Sequence, residues 1–252
     1  MPASRPRVRR REAAAAAVAS FLDALPLPEA VRRSEDLRGT PGRVADAWLD
    51  ELVDGYGQDP AAILAGAIPT RSGGLVAVTG ITFHSVCPHH LLPSRGVAHL
   101  AYLPGGKVVG FGQLVRLVDA LAHRLVLQED LALEIAEALI QHLGARGAGV
   151  VLEAEQLCLT VRGETQPGAR AHAQAFAGEL AREPRAQRAL LDAIGRAAAA
   201  PSAGRGRAPA GSPGAEDGPA PARTRTGRRP ARARGRAGRS ARAGAGRPEA
   251  RR

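Results

Sequence analysis

Two cysteines and a pair of adjacent histidines are the side chains of this chain best suited to chemistry. Cys87-Pro88-His89-His90 puts a thiol and an imidazole three residues apart where a strand is expected to end. Cys158, the only other cysteine, follows 71 residues later. Thiolate and imidazole are ligands that suit zinc. A third ligand brought in from a distant strand, with water in the fourth position, is the arrangement of a reactive zinc rather than a closed structural one. The same residues admit two plainer readings: a pair of buried, inert cysteines, or a Cys87–Cys158 disulfide, which a reducing compartment disfavours.

The elements that must position these groups follow from periodicity. Val150–Val161 reads as one long strand, and alternation then puts Gln156, Cys158 and Arg162 on one face. Leu75–Phe83 and Gly96–Leu103 also read as strands, and Pro104-Gly105-Gly106 predicts a hairpin turn into Lys107–Phe111. Helices are expected over 113–126 and 128–143, the second with Leu131, Ile135, Leu139 and Leu143 on one face. Gln128-Glu129-Asp130 opens that helix, where acids also suit the dipole without any further role. A strand over 169–178 and a helix over 184–198 complete the pattern, with shorter helices at 13–25, 29–37 and from Thr40. Strands followed by helices imply an α+β fold with an antiparallel sheet.

The chain has 252 residues and a formal charge of +11, very unevenly placed. Residues 201–252 hold fourteen Arg against three acids, and residues 1–12 hold five Arg against Glu12, so residues 13–200 are net acidic. This excludes a folded basic domain built around nucleic acid. The expected organisation is a basic disordered arm at 1–12, an N-terminal helical region at 13–74, a sheet domain at 75–198, and a disordered Arg/Ala/Gly/Pro-rich tail at 199–252. The tail is read either as a solvated segment or as a weak, nonspecific, salt-dependent binder of nucleic acid. It lacks the aromatic residues that would stack on bases. No apolar run reaches the roughly 18 residues of a membrane span. Glu12 and Asp23 bracket the apolar stretch that might otherwise resemble a secretory signal, so a cytoplasmic protein is expected.

Several stretches, in order, resemble the GTP cyclohydrolase I family. Cys87-x-His89-His90-Leu91-Leu92-Pro93 is similar to its zinc motif, and Leu37-x-x-Thr40-Pro41-x-Arg43-Val44-Ala45 to an N-terminal helix motif. Ala98-His99-x-Ala101-Tyr102-Leu103-Pro104 with Lys107-Val108-Val109-Gly110 resembles its hairpin. Arg116, then Arg124-Leu125-x-x-Gln128-Glu129, and finally Glu153-Ala154 … Cys158 … Arg162-Gly163 continue the match. The similarity spans roughly residues 28–195. It implies the tunnelling fold: an antiparallel sheet backed by two helices, in rings of five stacked as a homo-decamer with active sites between subunits. It also implies zinc on Cys87, His90 and Cys158, activating water for attack on C8 of the guanine of GTP. Formate leaves, and a pterin, 7,8-dihydroneopterin triphosphate, is formed, as in folate and tetrahydropterin synthesis. Glu129, with Gln128, would hold the guanine edge, Arg116 and Arg162 the triphosphate, and His89 would assist proton transfer.

The departures from that family are specific. Gln156 stands where the family has an acid/base histidine, and an amide cannot shuttle protons. Gly112 and Gln113 replace a serine and a lysine, Pro88 replaces a glutamate, and Asp130 an arginine. Ala169, Ala171 and Ala173 replace a Ser/Thr run. His172 on that strand is a candidate substitute for the missing acid. Two other readings therefore stay open: a paralogue acting on another purine nucleotide or nucleoside, and a non-catalytic zinc-containing binding or regulatory subunit.

Overall fold

The computed structural model describes residues 5–162 and 166–199; the expected disordered tail beyond Ala199 lies outside the described residues. Helix α1 (Arg5–Ala24) is followed by the short α2 (Glu29–Arg32) and by α3 (Thr40–Ala47), which runs into a π-helical turn (Trp48–Leu52) and a 3-10 turn (Asp54–Gly57). Then come α4 (Pro60–Leu64), β1 (Ile68–Pro69), β2 (Val76–Val86), β3 (Pro93–Leu103), β4 (Lys107–Val108), α5 (Phe111–Ala122) and α6 (Gln128–Leu143). β5 (Gly147–Gln156), the single turn α7 (Leu157–Thr160), β6 (Ala171–Gly178), a 3-10 turn (Glu179–Arg182) and α8 (Pro184–Ala199) complete the order.

A four-stranded antiparallel sheet, in the order β2-β3-β5-β6, carries the domain. Alternation along its strands sends Leu100, Tyr102, Val150 and Leu152 to one face, where they are fully buried. Leu114, Leu117 and Val118 of α5 and Leu131, Ile135 and Leu139 of α6 close on that face to form the main core. Helix α6 begins with Glu129 and Asp130, which favour the positive end of its dipole, and stops at Gly144, whose φ of 74° lets it end the helix in a left-handed turn. A second, smaller cluster forms where Leu190 of α8 packs on the other face, against Ala101 and Val151. Among the described residues, no helix is long and apolar enough to cross a membrane.

A bulge in β2 sets the phase with which that strand reaches the chemistry. Val78 pairs with Leu100 and Ile81 with Ala98, so Thr79 and Gly80 together oppose His99. The core-facing side chains accordingly change parity, from Val76 and Val78 before the bulge to Ile81 and Phe83 after it. Gly80 takes up the extra residue at φ 84°.

Three expectations are corrected. Residues 5–12, expected as a disordered arm, form the first turns of α1, because Arg7 and Arg11 pair with Asp50 and Asp46 and draw the helix onto α3. Lys107–Val108 does not form a hairpin with β3, whose two edges are already taken by β2 and β5; it pairs instead with Ile68–Pro69. The strand expected over 150–161 ends at Gln156, and Leu157–Thr160 coil into one helical turn. Cys158 therefore reaches its position through a helical turn rather than through strand alternation with Gln156.

Candidate active site

The chain leaves β2 at Val86 and re-enters the sheet at Pro93, and the tight turn between them carries Cys87, His89 and His90. Two backbone bonds close it: Cys87 N–H donates to the Leu92 carbonyl (3.0 Å) and Leu91 N–H to the Cys87 carbonyl (2.9 Å). The turn requires Leu91 at φ 54°, a left-handed conformation unusual for a residue with a Cβ and costing about 1 kcal/mol or more. The two backbone bonds offset that cost and hold the turn closed, with Cys87 Sγ 3.9 Å from His90 Nδ1.

Cys158 arrives from α7 at the end of β5 and completes a trio whose donor atoms all lie within 4.8 Å of one another. For Zn–S near 2.3 Å and Zn–N near 2.0 Å, tetrahedral geometry separates neighbouring ligand atoms by about 3.5–3.8 Å. The trio is therefore spaced, and composed, to hold a zinc ion with one position left for another ligand. Burial pushes the Cys158 thiol up from its ordinary value, and the adjacent Cys87 pushes it further, while Arg162 pulls it down. Two thiols crowded together resist becoming two thiolates; a dication between them reverses that preference.

The trio opens on a cleft of about 240 Å³ lined by Cys87, His89, Gln128, Glu129, Gln156 and Cys158, with Val126, Leu127, Leu159 and Ala171 as apolar walls. Glu129 is exposed at the first turn of α6, its carboxylate at the positive end of the helix. Gln128 is buried and fully engaged: its amide nitrogen donates to the carbonyls of Leu152 and Ala171, both at 3.0 Å, and its oxygen accepts from Gln156 Nε2 at 2.7 Å. Its amide donors are thus used on the backbone of β5 and β6. Gln156 is the polar group that ends β5 beside Cys158.

Other residues singled out from the sequence stand elsewhere. Arg116 is exposed on α5 and Arg162 is exposed beyond α7; neither lines the cleft. His172 is exposed and pairs in register with Glu153, because alternation along β6 turns it away from the side on which Ala171 meets the cleft. Gln113 accepts from the Gly110 N–H (3.1 Å) and donates to the Ile63 carbonyl (3.0 Å), so it caps α5 and ties it to α4. The apolar walls Val126, Leu127 and Leu159 were not singled out by any motif. Their signal is only that they flank residues that were.

The model of the GTP cyclohydrolase I family matches residues 14–195. Two relatives named GTP cyclohydrolase 1 are similar to this chain. The one from Chromobacterium violaceum is 43% identical over 157 residues, 62% of this chain and 76% of its own. The one from Leifsonia xyli subsp. xyli is 46% identical over 165 residues, 65% of this chain and 85% of its own. Among solved structures, the apo form of the archaeosine synthase QueF-Like aligns with 43% of this chain and 97% of its own, at 21% identity and a TM-score of 0.36. The four-stranded antiparallel sheet backed by α5 and α6 is the tunnelling fold, and the chain belongs to the GTP cyclohydrolase I family.

Proposed function

We propose that this chain is a zinc-dependent hydrolase that opens the imidazole ring of the guanine of GTP, releases C8 as formate and yields 7,8-dihydroneopterin triphosphate. The observation that carries the reading is the shared cleft. Two thiols of a three-donor, zinc-type group, Cys87 and Cys158, line one concave site with the exposed carboxylate of Glu129, and His90 completes the group beside it, in a chain of this family. A zinc ion held by Cys87, His90 and Cys158 would supply a water acidic enough to attack near neutral pH.

The protein's own groups divide the remaining work. The Glu129 carboxylate is an acceptor suited to the ring N–H and the exocyclic amino group on one edge of guanine, a pairing that adenine cannot offer. His89 lines the cleft and can give or take the proton on a ring nitrogen as the bond to C8 breaks. Gln156 can orient a substrate polar atom through its carbonyl, which has no partner among the described residues, or through the second of its two N–H groups, the first being given to Gln128. As an amide it moves no proton, which should slow the reaction by about 10²–10⁴-fold against an enzyme with an acid/base group there.

The cleft lining contains no Arg or Lys. A triphosphate needs such groups, so Arg116 and Arg162 would serve across an interface with a second copy, in a ring-shaped homo-oligomer. Purified protein supplied with zinc and GTP should release formate and form a pterin that fluoresces after oxidation. Protein shown to contain zinc that does neither would overturn the proposal.

A second reading is favoured by Gln113. It is a neutral amide occupied at both ends, so at this one position the cation that the resemblance implies for a phosphate is missing. On that reading the substrate carries fewer phosphates. Turnover of GMP or guanosine matching that of GTP would support it, and a strict triphosphate requirement would refute it.

A further inference from the structure

The residues that join α5 to α6, 123–127, run directly into the cleft, where Val126, Leu127, Gln128 and Glu129 form one wall. They belong to neither helix, so their backbone polar groups need partners from elsewhere. The 3-10 turn Asp54–Gly57 supplies them. His123 Nδ1 is 2.8 Å from Asp54 Oδ1, and since an ionised carboxylate only accepts, the ring nitrogen donates. Gly55 N–H donates to the His123 carbonyl (3.1 Å), Arg124 Nη2 to the Gly55 carbonyl (3.4 Å), and Leu125 N–H to the Tyr56 hydroxyl oxygen (3.2 Å). The Arg124 guanidinium lies 5.8 Å from the centroid of the Tyr56 ring. The approach is close: a Cβ on Gly55 would stand 2.2 Å from the Ala120 carbonyl oxygen and 2.7 Å from that of His123.

On its other side the connection is held to the strand that leads into the Cys87 turn. Val126 N–H donates to the Val86 carbonyl (3.3 Å), and Leu125 forms an isolated parallel bridge with Val86. The His123 ring lies on that of His84 in β2, with centroids 4.1 Å apart. Val86 is fully buried and immediately precedes Cys87. The thiols at one end of the cleft and the Glu129 carboxylate at the other are therefore joined by a short path through the Val86–Val126 bond, and the Asp54–Gly57 turn backs that path. Gln128 ties the start of α6 to β5 and β6; this connection ties it to β2. Guanine is planar and rigid, and its C8 and its amino edge lie at opposite ends of the bicycle. The spacing of the thiols and Glu129 must match it, and a misplacement of about 1 Å can cost about 10²-fold in rate.

We infer that Asp54 and Tyr56 are positioning residues for base recognition: they clamp the α5–α6 connection against the end of β2 and so set where Glu129 stands relative to Cys87. Neither lines the cleft, and both act through the connection. Asp54 holds the ring of His123 at the end of α5, and Tyr56 gives the Leu125 N–H a partner that no backbone carbonyl supplies among the described residues. The turn thus gives the N-terminal helical region a part in the site without a side chain in it. The inference rests on the reading of Glu129 as the acceptor for the guanine edge. It is independent of the number of phosphates and of the group at position 156.

The test uses the full-length protein supplied with zinc. Amide hydrogen exchange at Leu125 and Val126 reports the connection, and calorimetric binding of guanosine reports base recognition. Zinc content, with exchange at Leu131 and Ile135 in α6, reports whether the rest of the fold is intact. Tyr56→Phe removes only a hydroxyl from an exposed ring, and Asp54→Ala removes the acceptor for His123. Each should speed exchange in the connection and weaken guanosine binding about 3–10-fold, because the wall must then be ordered by the ligand. Zinc content and α6 exchange should stay at wild-type values. Asp54→Asn keeps an oxygen that accepts from His123 and should restore both exchange and affinity. Unchanged exchange or unchanged affinity in the Phe and Ala variants overturns the inference. So does an Asn variant as weak as Ala, or a weakening that comes with loss of zinc or faster exchange in α6. If Asp54→Ala fails to fold, Tyr56→Phe decides on the same criteria. Wild-type protein that binds no guanosine refutes the reading of Glu129 and takes the inference with it, whereas equal binding by wild type and variants refutes the inference alone.

Discussion

Gln156→His is the substitution that most directly probes the proposed chemistry. The wild-type amide donates at 2.7 Å to Gln128, whose own N–H groups are fixed to the Leu152 and Ala171 carbonyls. Replacing Gln156 leaves Gln128 Oε1 unpaired unless the imidazole N–H finds it, a loss of about 1–2 kcal/mol. That lowers the unfolding midpoint by about 2–8 °C. Against this stands the gain of an acid/base group beside Cys158. If proton transfer is what the amide lacks, kcat rises by about 10²–10⁴-fold, or about 3–5 kcal/mol off the barrier. The assay is formate release and pterin fluorescence on GTP, with zinc content measured on the same samples. Gln156→Asn is the control, since it shortens the side chain and breaks the same hydrogen bond without adding a titratable group. It should show the stability loss without the rate gain. A zinc-replete, folded His variant no faster than wild type would refute the reasoning and favour a site reshaped for another substrate.

Three further outcomes follow. Glu129→Gln removes the ionised acceptor proposed for the guanine edge, so kcat/KM on GTP should fall about 10–100-fold with zinc content unchanged; a smaller loss would detach Glu129 from base recognition. Ile135→Ala empties space between α6 and the sheet at a fully buried position. It should destabilise by about 2–5 kcal/mol in urea unfolding, and less than 1 kcal/mol would mean that the core there is not closed. His99 is buried with Nδ1 unpartnered, and burial holds its pKa below the ordinary 6.5 although Glu153 opposes this. Because its folded pKa is lowered, the unfolded chain binds the extra proton first. Stability from this group is complete above about pH 6.5 and declines as pH falls towards the lowered value. His99→Gln should flatten that part of the stability–pH curve, and an unchanged slope would refute the assignment.

What could be read from the sequence was whatever short-range pattern dictates. Leu131, Ile135, Leu139 and Leu143 recur at helical spacing and Gly144 follows them, so α6 was legible to the residue. The Cys-x-x-His turn was legible because its two donors are local. The errors share one cause, which is partners far along the chain. Leu157–Val161 alternates well enough to pass for strand, and no local residue marks the helical turn that delivers Cys158. Lys107–Val108 was assigned to the nearest strand, whereas β3 had no free edge to offer it. Arg5–Arg11 carries no apolar stripe, and the acids that order it lie 35 and 43 residues away. Gln128 looks like a ligand-reading amide until its partners appear, 24, 28 and 43 residues distant.

The distribution of charge around the cleft bears on assembly. The formal +11 belongs to the two ends of the chain, and the body between them is net acidic. The cleft itself presents Glu129 and no lysine or arginine. A site so lined favours a neutral guanine edge and does nothing for three phosphates, which at neutral pH carry close to four negative charges. The exposed Arg116, on the outer side of α5, has no partner among the described residues, and Gln113 is held by backbone one turn before it. If GTP is the substrate, recognition is therefore divided, with the base read by the α6 end of one copy and the triphosphate neutralised by arginines of another. Affinity for GTP should then depend on assembly and fall with ionic strength, while affinity for guanosine should respond to neither. Guanosine binding as salt-sensitive as that of GTP would mean that the phosphates are not what the arginines hold.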